Sequence, residues 1–308
     1  MQTVIVLTVM RLKLPVAAFA TVLTLAACGA EESTGTDATG DCPTAPVSVV
    51  VSVDQWGDIV SDLGGSCAKV TTVLAGSSLD PHDFEPAPSD AAKFVGAQLV
   101  VLNGGHYDEW ATKLAQSSAP QAPVISAVPD DAHGGNPHAW YSPDAIDTVA
   151  DAVTAALGEL APDAKDYFAQ RHGAFTDTMK PYRQLVDTLK AKGSDKTYAA
   201  TETVFDNMAT AVGLTDRTPP GYAASASNET DPSPADLDAF LRLLGDHGVD
   251  VLIYNTQTEG SVPQQLRAAA EKAGVPVVDV TETVAPGAAS FEAWQVDQLT
   301  ALAKALGV

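Results

Sequence analysis

The stretch that most constrains this chain is Val47–Val53, VSVVVSV. β-Branched side chains fit the pleated surface of a strand. A run this apolar suits a strand buried on both faces, as the inner strands of a parallel sheet are. Similar short runs recur at Val70–Leu74, Leu99–Asn103 (LVVLN) and Pro123–Ser126. Between them lie segments with helical spacing: Trp56–Leu63, ended by Gly64-Gly65, then Ser89–Val95 and Tyr107–Ala115. Strands alternating with helices predict crossover connections and a parallel sheet.

Two long helical segments follow, Pro143–Leu160 and Asp163–Lys192. In the second, Phe168, Phe175, Met179, Tyr182, Leu185, Val186 and Leu189 recur at helical spacing, Pro181 is placed to kink it, and Gly193 and Ser194 stop it. The alternation then resumes. Strands are expected at Lys196–Ala200, Val249–Tyr254 (VDVLIY) and Val275–Val280, and helices at Val204–Val212, Pro234–Gly245, Pro263–Lys272 and Phe291–Leu306. The expected fold is α/β: two lobes with parallel-type sheets, joined by one long backbone helix. Ligands of open α/β sheets sit at the carboxyl ends of the strands, so two facing lobes place a site in the cleft between them.

A length of 308 residues accommodates two cores. The net charge of −22 argues against a nucleic-acid partner, since nothing would neutralise phosphates, and it suits attraction of cations. Arg11 and Lys13 precede an apolar run, Leu14–Ala27, that is too short to span a bilayer and has the length of a signal-peptide core. Its end, Leu25-Ala26-Ala27-Cys28, resembles the bacterial lipoprotein signal, in which the cysteine becomes the lipidated first residue. Gly29–Gly40 reads as a flexible tether. Two cysteines remain, Cys42 and Cys67. In an oxidising compartment an even pair suggests a disulfide, the alternative being metal thiolates, for which the spacing matches no zinc motif.

Four positions after strand ends carry chemistry. His82 lies in Asp80-Pro81-His82-Asp83-Phe84-Glu85-Pro86, and His138 in Asn136-Pro137-His138-Ala139-Trp140-Tyr141-Ser142-Pro143. Prolines restrict both loops and can aim an imidazole. Glu202, in Thr201-Glu202-Thr203-Val204-Phe205, follows a strand and opens a helix; Glu282, in Val280-Thr281-Glu282-Thr283, ends the last strand. Each has a plainer reading by itself: a surface or capping histidine, a helix-start carboxylate favoured by the dipole, a solvated loop acid. Together, two neutral imidazoles and two carboxylates suit a divalent first-row metal, and an all-protein shell leaves no position for a reacting substrate.

The two histidine loops resemble the signature loops of the zinc/manganese substrate-binding proteins of ABC importers, the cluster A-I or ZnuA/PsaA-like family. The segment Glu202-Thr203-Val204-Phe205, with Gly213-Leu214 beyond it, is similar to the family's third-ligand region, and its Glu resembles the manganese-type pattern. The resemblance runs from Val47 to Val308 and implies two α/β lobes bridged by a backbone helix. The family often has an Asp after its final strand. Here the choices are Asp279 and Glu282, and Glu282 is preferred because alternation could turn Asp279 away. The His-rich loop of many zinc-type members is reduced to Val128–Gly135 with His133 alone. His106 is expected at the surface or behind the ligands, His172 and His247 as solvated or packed. Trp140 and Tyr141 are expected to shield the site or simply to pack beneath it, and Ser233 to cap a helix.

The resemblance implies a non-enzymatic, extracytoplasmic lipoprotein of the cell membrane that captures Zn2+, or Mn2+, and delivers it to an ABC permease and its ATPase, acting as a monomer. The alternatives are a metal-dependent hydrolase, against which the lack of His-Glu-x-x-His and of any evident nucleophile–base pair argues, and a surface adhesin or metal-storage lipoprotein. The expected organisation is a leader over 1–28 ending in Cys28, a tether over 29–41, an N-terminal lobe over 42–160, a linker helix over 161–193 and a C-terminal lobe over 194–308.

Overall fold

A computed structural model describes residues 42–76, 84–129, 135–228, 230–258 and 260–308. Cys28, His82 and His133, with the leader and the tether, lie outside the described residues. In order, the elements are β1 Val47–Val53, α1 Asp54–Gly64, β2 Ala68–Leu74, α2 Pro88–Phe94, β3 Leu99–Gly104, α3 Glu109–Ser118, β4 Val124–Val128, α4 Pro143–Leu160, α5 Lys165–Thr178, α6 Lys180–Gly193, β5 Thr197–Ala200, α7 Asp206–Val212, β6 Thr215–Asp216, α8 Pro220–Ser227, α9 Pro234–Gly245, β7 Val251–Asn255, α10 Ser261–Ala273, β8 Val277–Val280 and α11 Phe291–Leu306. No helix among them is long and apolar enough to cross a membrane.

The strands form two four-stranded sheets, ordered β2-β1-β3-β4 and β6-β5-β7-β8, and every pairing is parallel. β1 is central, and its valines Val47, Val49, Val50, Val51 and Val53 are each at most 2% exposed. Full burial is worth about 1.5–3 kcal/mol per valine, so both faces of the strand contribute and no polar alternation is required. The edges are short or half-exposed: β6 has two residues, and Val124 on β4 is 50% exposed. In each sheet the chain reverses its winding between the two middle strands. That leaves a crevice past β1 and β3 in one lobe and past β5 and β7 in the other.

The long helical segment expected between the lobes is two 14-residue helices, α5 and α6, interrupted at Met179. Pro181 lies in the first turn of α6. It has no N–H for the carbonyl of Asp177, and its ring crowds that carbonyl. α5 packs on α1 and α4, whereas α6 packs on α7 and α11, so the two helices serve different lobes. One buried apolar cluster nevertheless runs from Val51 and Trp56 through Tyr141 and Phe175 to Val280 and Leu302. A disulfide joins Cys42 to Cys67 across a Cα separation of 5.0 Å, tying the start of the fold to the entry of β2. Sequence periodicity did not reveal β6, which has two residues, or α8, one of the shorter helices, and both carry little apolar pattern.

Candidate metal-binding cleft

The loop after β3 begins with a close backbone approach. At Gly104, with φ +76°, a Cβ would stand 2.1 Å from the carbonyl oxygen of Val128, so only glycine fits. The buried carboxylate of Asp108 accepts from the N–H groups of Asn103 and Gly104 at 2.7 and 2.8 Å and closes the turn. Burial raises the Asp108 carboxyl above the usual range, against these bonds. Asn103 is fully buried. Its Oδ1 accepts from the Trp56 indole at 3.0 Å, and its Nδ2 donates to the carbonyl of Pro137 at 2.8 Å. The loop carrying His138 is thereby fastened to the end of β3.

Asn136 orients the imidazole. Its Oδ1 accepts from the backbone N–H of His138 at 2.9 Å and lies 2.8 Å from Nδ1, while its Nδ2 donates to the carbonyl of Thr203 at 2.6 Å in the other lobe. With the amide oxygen at Nδ1, we assign the ring proton to Nδ1, so that Nε2 presents its lone pair. Nε2 stands 3.7 Å from Oε1 of Glu282. His138 is 5% exposed, and the ring of Trp140 stands perpendicular to it at 5.3 Å. Trp140 and Tyr141 are fully buried behind the loop, where Tyr141 packs on Phe205 and Trp294.

Three residues gather at the carboxyl ends of adjacent strands in the second sheet: Glu202 two residues past β5, Asn255 as the last residue of β7, and Glu282 two residues past β8. Nδ2 of Asn255 donates to Oε2 of Glu202 at 2.5 Å and to Oε1 of Glu282 at 3.3 Å. Oε2 of Glu282 accepts from the Tyr107 hydroxyl at 3.3 Å. The Glu282 backbone is gripped as well: its carbonyl accepts from Gln55 Nε2 and its N–H donates to Gln257 Oε1, both at 2.6 Å. Burial pushes the Glu202 carboxyl up, as does the nearby Glu282 charge, against the hydrogen bond from Asn255 and the pull of His138. Burial and the Glu282 charge also raise the Tyr107 hydroxyl, keeping it a donor.

His138, Glu202 and Glu282 line one cleft of about 980 Å³ between the lobes. Among the described residues, no three His, Cys, Asp or Glu side chains stand close enough to hold an ion by themselves. Asp279 is turned away. It is exposed on β8 and paired with Arg267 at 2.5 and 3.2 Å, and that guanidinium also lies 4.8 Å over the Tyr254 ring. His106, with left-handed φ +68°, is an exposed residue at the cleft rim whose Nδ1 is 2.7 Å from Glu109. His172 pairs with Asp151 at 2.9 Å, and His247 is exposed in the turn after α9.

Three cleft residues carry no signature in the sequence, Asn255, Tyr107 and Asp206, and neither does Gln55, which is buried behind the cleft on the Glu282 carbonyl. Burial raises the Asp206 carboxyl to about 6, with Tyr198 and His138 opposing and Asp216 adding to the rise. One local signal was available, an Asn closing the buried run that forms β7, where the core leaves no room for an amide without a purpose.

Two parallel-sheet lobes with an imidazole and carboxylates lining the cleft between them are the architecture of a substrate-binding protein. Residues 49–305 match the family described as zinc-uptake complex component A, periplasmic, and the chain belongs to that family. Membership makes it a capturing component of an uptake system rather than an enzyme. The high-affinity zinc uptake system protein ZnuA of Bacillus subtilis is 24% identical over 266 residues, covering 79% of this chain and 81% of the relative. The manganese-binding lipoprotein MntA of Halalkalibacterium halodurans is 26% identical over 170 residues, 53% of this chain and 55% of the relative. Among solved structures, the substrate-binding protein FpvC of Pseudomonas aeruginosa in complex with Mn2+ superposes with a TM-score of 0.67 at 21% identity, covering 85% of this chain and 98% of that one, a likeness of fold.

Proposed function

We propose that this chain captures zinc, with manganese as the alternative cargo, in the cleft between its lobes and hands it to an ABC permease driven by its ATPase. His82, His138, Glu202 and Glu282 are the ligands in this reading. The observation that carries it is that His138, Glu202 and Glu282, from three distant stretches of chain, line one cleft with Nε2 of His138 3.7 Å from a Glu282 oxygen. Imidazole favours a transition metal over calcium or magnesium, and two carboxylates neutralise its charge. Zinc outcompetes manganese at a given N/O site by the Irving–Williams order. The same reading divides the chain into a leader ending at lipidated Cys28, a tether over 29–41, lobes over 42–160 and 194–308, and the linker between them. The protein is then a monomer held by lipid on the outer side of the cell membrane.

Calorimetric titration of zinc and manganese, with elemental analysis of protein purified without added metal, tests the reading. One metal per chain is expected. Apparent binding energies of structural zinc run about 10–16 kcal/mol for four ligands, so removing one costs about 3 kcal/mol, roughly 100-fold in affinity. Alanine at His82, His138, Glu202 or Glu282 should each show that loss. Near-normal binding by the His82→Ala and His138→Ala variants would overturn the ligand set.

A further inference from the structure

We propose that Asn255 sets the metal selectivity of the cleft by holding Glu202 and Glu282 to one coordinating oxygen each, which favours four-coordinate zinc over manganese. The proposal rests on the preceding reading that these two carboxylates are ligands.

Asn255 is 2% exposed at the end of β7, between the strands that lead to the two acids. Its orientation is fixed from both sides. The backbone N–H donates to Thr201 Oγ1 at 3.2 Å, and the side-chain Oδ1 accepts from the N–H of Gln257 at 3.0 Å. The amide therefore turns its two N–H bonds into the cleft, one to Oε2 of Glu202 and one to Oε1 of Glu282, at 2.5 and 3.3 Å. Oε2 of Glu282 also accepts from Tyr107. A carboxylate that grips a metal with both oxygens must offer both and pivot so that they lie equidistant from the ion. Glu202 has one oxygen committed to Asn255, and Glu282 has a donor at each end. Each can turn one oxygen's second lone pair toward the ion, whereas pivoting both oxygens to equal distances from it pulls at least one off its buried hydrogen bond. Zinc is satisfied by four single-atom ligands, whereas manganese takes a higher coordination number from oxygen donors and loses most when chelation is denied.

The experiment compares full-length wild type with Asn255→Leu, which keeps the volume but removes the donor, and Asn255→Gln, which keeps an amide. Competitive titration reads the zinc-to-manganese affinity ratio. The visible spectrum of the Co2+ form reads coordination number, and infrared difference spectra of the carboxylate stretches read denticity. Changes in the shell behind metal ligands typically alter affinity 10–100-fold, so the ratio should fall roughly tenfold in Asn255→Leu and recover in part in Asn255→Gln. The Co2+ band should weaken as coordination number rises. Wild type with zinc should show the wide stretch separation of single-oxygen binding. An unchanged ratio in Asn255→Leu, or chelating carboxylates on zinc in wild type, would overturn the proposal. The infrared measurement needs no variant, so it decides even if both variants misfold. Glu202→Ala and Glu282→Ala, run alongside, separate the two claims. If neither weakens binding, the ligand assignment fails and this proposal with it. If both do and the Asn255 results are negative, only the selectivity claim falls.

Discussion

The imidazole of His138 is useful to a cation only if its proton sits on the far nitrogen, and Asn136 keeps it there by accepting at Nδ1 from 2.8 Å. Asn136→Ala removes that acceptor together with the bond to Thr203. Zinc affinity should fall roughly 10–100-fold in competitive chelator titration while the circular dichroism spectrum stays unchanged. Asp206 supplies a second test. Its carboxyl is raised from 3.8 to about 6, mainly by burial, where it faces Tyr198, Asp216 and His138. A folded-state value above the unfolded one means the native state holds the proton more tightly. The stabilisation is complete below about 4 and is lost as pH rises through about 6. Metal-free protein should therefore lose thermal stability across that window, and Asp206→Asn should flatten the loss in scanning calorimetry. A slope unchanged in the variant would assign the effect to other raised carboxyls such as Asp54 and Asp62.

At the level of elements, the starts of α9 and α11 are set by local chemistry. Ser233 accepts from the N–H of Asp236 at 3.2 Å and Ser290 from that of Ala293 at 3.1 Å, each with an extended backbone ahead of its helix. Ser233 lies in an exposed turn, so Ser233→Ala should cost about 1 kcal/mol, read as a lower urea midpoint with an unchanged slope. The strands owe their positions to the sheets rather than to caps. Because β5, β7 and β8 are neighbours in parallel register, Asn255 stands opposite Val280, and the side chains that follow β5 and β8 reach the same space.

Across the whole molecule, the lobes are fastened to each other as well as linked in sequence. Gln55 holds the Glu282 carbonyl, Asp58 accepts from the N–H of Phe291, Tyr141 donates to the carbonyl of Thr281 at 2.7 Å, and Asn207 donates to that of His138 at 2.9 Å. With one apolar cluster continuous beneath these bonds, opening the cleft wide would expose buried surface and break buried hydrogen bonds together. Small-angle scattering should accordingly give the same radius of gyration with and without zinc, while the melting temperature rises with free metal by mass action. A marked contraction on binding would contradict this account of the lobes.

Much of this was legible in the chain itself, because it depends on neighbours in sequence. Buried strand runs, helical periodicity, the Pro137-His138 loop, the break at Pro181 and the Ser233 cap are all set within a few residues. What only the tertiary structure decided concerns residues far apart in sequence. Alternation along β8 gave a reason to prefer Glu282 to Asp279, but the ion pair with Arg267 that occupies Asp279 requires α10 folded alongside. Asn255 reads as the polar end of a strand until β5 and β8 bring Glu202 and Glu282 to either side of it. Periodicity reports which face of an element is apolar. It does not report which elements will be neighbours, and the chemistry of a cleft depends on those neighbours.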